Sequence, residues 1–270
     1  MDASGPVESI SAELYQDLVH YFKFATSAYT LICPRPNGKK LVLPFTSISG
    51  DYSGYVARDD DRREIIVAFK GSASILAFLA DAAIILVPFV ASGITAPSGV
   101  RVHAGFLVAW TSIQLVVRMI VAQQIKAYPD YAIVTSGHSL GGVLALFCAI
   151  ASKQHHPNTT YSYGAPRAEA QNTQFATFVN KTLGKNAYRV VHGNDGVPTI
   201  IPTWLGYHHH GVEHWQHTSP PSEGTTRACS IDGEDPQCSA SIPTKGINPA
   251  HWAVSPGSLL ADDGKADQGP

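Results

Sequence analysis

The sequence predicts an α/β fold with a mostly parallel central sheet and helices on its faces. Two observations carry this. Short apolar runs of strand length alternate with longer segments of helical period, an order that calls for crossover helices between parallel strands. In addition, Gly-His-Ser-Leu-Gly-Gly at 137–142 marks a sharp turn from a strand straight into a helix. With 270 residues, 44% hydrophobic and only 15% charged, the chain can bury one large core, so a single domain over 1–270 is expected.

The elements follow in order. Ser11 to Ser27 places Leu14, Leu18, Val19, Phe22 and Phe24 at helical spacing. Lys40–Phe45, Tyr52–Arg58 and Glu64–Phe69 read as strands, the last two joined as an antiparallel hairpin by the charged turn Asp59 to Arg63. A helix over Ala104–Ala127 precedes the strand Tyr131–Val134 and the apolar helix Leu140–Ala151. Thr160–Tyr163 and Tyr188–His192 are further strands, separated by a helix over Ala168–Leu183. Beyond Pro198 the chain is rich in Pro, Gly, His and Ser and reads as loops, with a disordered tail from about 262 to 270.

The net charge of −2 is spread without acidic or basic blocks, so nothing points to nucleic acid as a partner. Cys229 and Cys238 lie in a polar, turn-rich stretch with no metal-ligand spacing and read as a local disulfide. Cys148 reads as a free core cysteine, and Cys33 has no obvious partner. The sequons at Asn158 and Asn180 and the expected disulfide agree with a secreted glycoprotein. Met1 to Gly5 lacks an apolar core, so no signal peptide is visible, as in a mature or recombinant form.

Ser139 is the expected nucleophile. Gly137 and Gly141 flank it in the pattern G-x-S-x-G, as a strained turn between packed backbones requires, and the turn lifts the hydroxyl above the sheet edge. The alternative is a capping serine on a Gly-rich turn. A serine nucleophile needs an imidazole base, and the base needs a carboxylate to fix its tautomer. On a strand-turn-helix scaffold these follow in the order acid, then histidine. Asp195 lies just after the strand Tyr188–His192, on the same rim as the turn. Of the twelve histidines His251 is preferred, because it follows Asp195 within a loop-forming stretch, Gly246 to Trp252. His208, His209, His210, His214 and His217 resemble a metal cluster, but no H-E-x-x-H helix or cysteine pairing supports one. Two donors are expected for a developing oxyanion: the N–H of Leu140 and Ser72, which follows the strand Ile65–Phe69 and the turn glycine Gly71. A phosphate-binding loop there lacks the further glycines and the Lys-Ser/Thr it would need.

These pieces resemble the filamentous-fungal class 3 lipases, a family that includes type A feruloyl esterases. The matching motifs are Phe69 to Ser74, Val102 to Phe106, Gly137 to Gly142, Tyr163 to Arg167, Arg189 to Pro198 and Gly206 to Trp215, all in the family's order. The resemblance implies an α/β-hydrolase fold with Ser139, Asp195 and His251 as catalytic triad and Ser72 with Leu140 as oxyanion hole. It also implies that the histidine cluster is loop and strand packing. Two features depart from the family: the segment after Ser74 lacks the usual Asn-Trp pair, and Cys33 resembles a family cysteine whose C-terminal partner is missing here.

Ile75 to Ser92 is apolar but for Asp81, Pro88 and Ser92 and joins the oxyanion loop to His103, which suits a lid over about 74–92. A buried helix is the rival reading. Turning lid residues Ile75, Leu76, Phe78 and Leu79 outward would expose side chains at about 1.5–3 kcal/mol each, a cost that an oil surface removes. The expectation is a secreted, monomeric carboxylic-ester hydrolase, a lipase acting on acylglycerols at an oil-water interface, with no metal or organic cofactor and no transmembrane segment. A feruloyl-type esterase and a catalytically silent lipid-binding homologue are the alternatives.

Overall fold

The computed structural model describes residues 9–30, 33–72, 75, 85–153, 158–170, 174–242 and 246–253. Its centre is an eight-stranded sheet of β1 (Lys40–Thr46), β2 (Ser53–Asp59), β3 (Glu64–Phe69), β8 (Ala132–His138), β9 (Asn158–Tyr163), β11 (Ala187–His192), β12 (Glu213–Gln216) and β13 (Thr226–Ala228), in that spatial order. The strands from β3 to β12 pair in parallel, while β1, β2 and β13 extend the sheet antiparallel at its two ends. The fold is therefore the mostly parallel α/β architecture that the alternation predicts.

Two cores cover the two faces of this sheet, and β3 shows why. Its side chains alternate: Ile66 and Ala68 join the cluster built around Leu18, Phe22 and Phe24, whereas Ile65, Val67 and Phe69 join the cluster around Trp110 and Phe147. A strand buried on both faces must read as a continuous apolar run, as Ile-Ile-Val-Ala-Phe does. Helix α1 (Ala12–Ser27) supplies the first face and begins at Ser11, whose hydroxyl accepts from Leu14 N–H. Helices α2 (Ala104–Ala127), α3 (Leu140–Ser152) and α4 (Gln174–Leu183) supply the second. Among the described residues α2 is the one helix long and apolar enough to cross a membrane, yet Phe106, Ala109, Trp110, Ile113 and Val117 are buried in the core. Truncating Phe22 or Trp110 to Ala would cost about 3–5 kcal/mol through lost burial and the cavity left behind.

Several boundaries differ from those the sequence suggests. β8 runs through Thr135-Ser136-Gly137-His138 rather than ending at Val134, because its polar side chains find partners: Thr135 Oγ1 donates to Ala145 O at 2.9 Å and Ser136 Oγ to Tyr21 O at 2.8 Å. The helix expected from Ala168 starts only at Gln174, since Glu169–Ala170 (β10) pairs with β7 (Arg101–His103). β12 and β13 lie in the stretch expected to be loops; they are too short to show a period, and their pairing partners are remote in sequence or set by a turn. The disulfide Cys229–Cys238 is formed, and Cys33 and Cys148 are free. Asn158 is buried and donates from Nδ2 to Ala149 O at 2.7 Å, which leaves no room for a glycan on that nitrogen in the folded chain.

Within the expected lid, Ile75 is buried, and Leu76, Phe78 and Leu79 lie outside the described residues, as does the tail from 254 onward. From Leu86 the segment is extended rather than helical. β4 (Leu86–Pro88) pairs with β7, and β5 (Val90–Ala91) forms a small hairpin with β6 (Ile94–Thr95).

Candidate active site

The strand end, the helix start and their glycines force Ser139 into an unusual conformation. Its φ of 58° and ψ of −128° are strained for a residue with a Cβ, and such strain persists only where the surroundings dictate it. They do so by close packing. A Cβ on Gly137 would lie 2.1 Å from Gly141 O, and one on Gly141 would lie 2.3 Å from Phe69 O. Ser139 N–H donates to Tyr163 O at 2.8 Å, fixing the turn against β9. The serine side chain makes no capping bond to α3, which removes the capping alternative.

The other two members of the expected triad meet from different loops. Asp195 follows β11; its Oδ1 accepts from Val197 N–H at 2.9 Å, which orients the carboxylate. Its Oδ2 lies 2.9 Å from Nδ1 of His251, both side chains being buried. His251 sits on a short 3-10 turn, Pro249–Trp252, opened by Asn248, whose side chain accepts from Ala250 N–H. Because Nδ1 faces the carboxylate, it carries the proton, leaving Nε2 as the basic nitrogen. Ser139 Oγ and His251 Nε2 make no hydrogen bond within the described residues. Serine-to-base hydrogen bonds are often long before substrate is bound.

Gly164 lies in the Tyr163 to Arg167 motif, but the sequence does not reveal its place against the acid and the imidazole. It has φ +56°, and a Cβ there would lie 2.6 Å from Asp195 Oδ2 and 3.0 Å from His251 Nδ1, so the acid-imidazole pair occupies the space of its missing side chain. The available signal was a glycine at the end of β9, on the same rim as the turn. His138 is also missed. Its imidazole lies 4.4 Å from that of His251, tilted 41° to it, and is fully buried; burial first, then the neighbouring His251 ring, push it down to about 3.

Of the two expected oxyanion donors, one follows Ser139 in the chain and the other follows a glycine packed against it. Leu140 is the first residue of α3, where backbone N–H groups point outward. Ser72 follows Gly71, and a Cβ on Gly71 would come 3.1 Å from Ser139 Cβ, so this strand end abuts the expected nucleophile. Farther along the rim, Arg167 pairs with both oxygens of Glu234 at 2.7 and 2.6 Å and donates to Ile201 O, tying the acid loop to the disulfide loop. The histidine cluster does not converge. His209, His210 and His214 are buried, His209 Nε2 donates to Pro198 O, and burial lowers His214 to about 4. Among the described residues, none of the five falls within a group of three metal-capable side chains.

Comparison with known proteins bears on the family and the fold. Residues 66–204 match the model of the family described as Lipase (class 3). A lipase of Rhizomucor miehei is 30% identical over 259 residues, which cover 90% of this chain and 69% of that protein. A protein of Penicillium cyclopium named as a secreted alkaline triacylglycerol lipase is 29% identical over 248 residues, 90% of this chain and 84% of the other. The solved structure of a triacylglycerol lipase from Penicillium expansum superposes with a TM-score of 0.85 at 26% identity, covering 94% of this chain and 98% of that one. On the family match and the Rhizomucor relative together, the chain belongs to the class 3 lipase family.

Proposed function

We propose that the protein is a secreted carboxylic-ester hydrolase that cleaves acylglycerols through a serine acyl-enzyme. The observation that carries the reading is the buried 2.9 Å contact between Asp195 and His251, on the same rim as a serine held at positive φ whose hydroxyl has no hydrogen-bond partner among the described residues. Ser139 Oγ attacks the ester carbonyl while its proton passes to His251 Nε2, and Asp195 holds the imidazolium. The tetrahedral oxyanion is held by the N–H of Leu140 and by Ser72, each donor contributing on the order of 10²–10³ in rate. His251 then returns the proton to the departing alcohol. In the second half, water gives its proton to His251 and attacks the acyl carbon, and collapse releases the acid as His251 returns that proton to Ser139 Oγ. The chemistry balances without a metal or an organic cofactor.

Two features favour an aggregated lipid as substrate. The segment from Ile75 toward Ser92 is almost wholly apolar, which suits a lid that turns outward on an oil surface, and the relatives are named as lipases. The same composition argues against a feruloyl-type esterase. Secretion is supported by the disulfide and by the word secreted in the name of the Penicillium relative.

The test compares the parent with Ser139→Ala on emulsified long-chain triacylglycerol and on soluble methyl ferulate, together with labelling by an active-site phosphonate. Activity on the emulsion, one label per chain at Ser139 and loss of both in the variant are expected. Undiminished hydrolysis by Ser139→Ala overturns the serine assignment, and a preference for the ferulate overturns the substrate class.

A further inference from the structure

The two histidines packed together in the site are joined through a main-chain carbonyl, and a tyrosine from the far end of the chain extends that link. Tyr29, just beyond α1, places its hydroxyl 2.8 Å from Nδ1 of His138, and the same oxygen abuts Gly71, filling the space a Cβ there would need. On its other side His138 Nε2 lies 2.6 Å from the carbonyl oxygen of His251. A carbonyl can only accept, so Nε2 carries the proton, Nδ1 is the acceptor, and the Tyr29 O–H donates to it. Every donor and acceptor of this chain is thereby matched in one tautomer. With His138 held neutral by burial, the pattern does not change across the range in which an imidazole base works.

The chain links three segments that must agree in position: the strand end bearing Gly71 and Ser72, the turn bearing Ser139, and the loop bearing His251. The approach is close. A Cβ on Gly71 would lie 2.1 Å from the Tyr29 hydroxyl and 2.6 Å from His138 O. We propose that Tyr29 and His138 are positioning residues, a hydroxyl-imidazole clamp that sets the oxyanion donor and the base histidine relative to the nucleophile. The clamp rests on the serine-hydrolase reading above and deepens it. Removing the Tyr29 hydroxyl takes away the atom packed against Gly71 and frees His138 to adopt the other tautomer, which turns a lone pair toward the His251 carbonyl and repels it.

Tyr29→Phe keeps the ring and deletes one oxygen. Tyr55→Phe is the matched control, since the Tyr55 hydroxyl is buried and donates to Phe24 O at 2.7 Å, away from the three segments. On a soluble short-chain ester, Tyr29→Phe should lower kcat about 10- to 100-fold, the range expected of a misplaced catalytic group, with KM within about twofold. Phosphonate labelling should slow by a similar factor yet still reach one per chain. A merely structural hydroxyl would lower the melting temperature of both variants and leave kcat of the folded enzyme alone. A Tyr29→Phe enzyme with parental kcat, alongside a parent that labels at Ser139, overturns the clamp alone; a parent that does not label overturns the clamp and the hydrolase reading together.

Discussion

Substituting Gly164 by alanine tests how the acid and the base are held. The glycine carries no catalytic group, but a Cβ at this position would sit 2.6 Å from Asp195 Oδ2, 3.0 Å from His251 Nδ1 and 3.2 Å from His251 Cε1. Comfortable non-bonded contacts lie near 3.5 Å, so the pair must retreat by about 1 Å or the β9 end must yield. Yielding is difficult, because Gly164 N–H donates to Val190 O at 2.9 Å inside the parallel sheet. A displacement of about 1 Å in a catalytic constellation costs on the order of 10²-fold, and Gly164→Ala should lower kcat/KM by that factor. Its φ of +56° adds about 1–2 kcal/mol for placing a Cβ in left-handed backbone. In a chain of this size that loss lowers the melting temperature by about 2–8 °C. The assay pairs initial rates on a soluble short-chain ester with a thermal melt of the same sample. Parental kcat/KM in a destabilised variant would refute the reasoning, since the strain would then have been relieved without moving Asp195 or His251.

Asp195→Asn preserves shape but can stabilise the wrong imidazole tautomer, so kcat should fall by about 10⁴-fold; a variant within tenfold of the parent would point to a different acid. Replacing Cys229 and Cys238 by serine opens a loop of nine-residue separation. In the chain-entropy model that costs about 2–3 kcal/mol, read from urea midpoints, and an unchanged midpoint would mean the bridge adds nothing to the folded state. The acid side of the stability profile is set by imidazoles buried neutral: burial lowers His138 to about 3 and His103 and His214 to about 4. The unfolded chain takes up these protons near 6.5 and the folded one does not, so their contribution is intact above that pH and is lost as pH falls toward 4. Each accounts for about 1.4 kcal/mol per pH unit across that window, and a flat urea midpoint between pH 7 and 4.5 would contradict their neutrality.

What could be read from the residues, and what could not, follows from how far each feature reaches along the chain. The turn at Ser139 was legible because its constraint is local: Gly137 and Gly141 are four apart, and a Cβ on the first would strike the backbone of the second. Asp195 was legible because a Gly-Asn-Asp-Gly turn directly follows a recognisable strand, which fixes its rim. His251 is one of twelve histidines and chain order alone singles it out, but a local signal supports it, since Asn248 and Pro249 open the turn that presents it. β12 left no such trace. Its four residues owe their pairing to β11, more than twenty positions earlier, and polar side chains such as Glu213 are buried only because Arg189 meets them at 2.9 Å. The bond between Tyr29 and His138 spans 109 positions, and no periodicity or spacing can announce it. Residues of this second kind hold the first kind in place. Gly164 and Tyr29 therefore discriminate between a site that is merely present and one whose geometry the fold enforces, a distinction that substitution of Ser139 itself does not make.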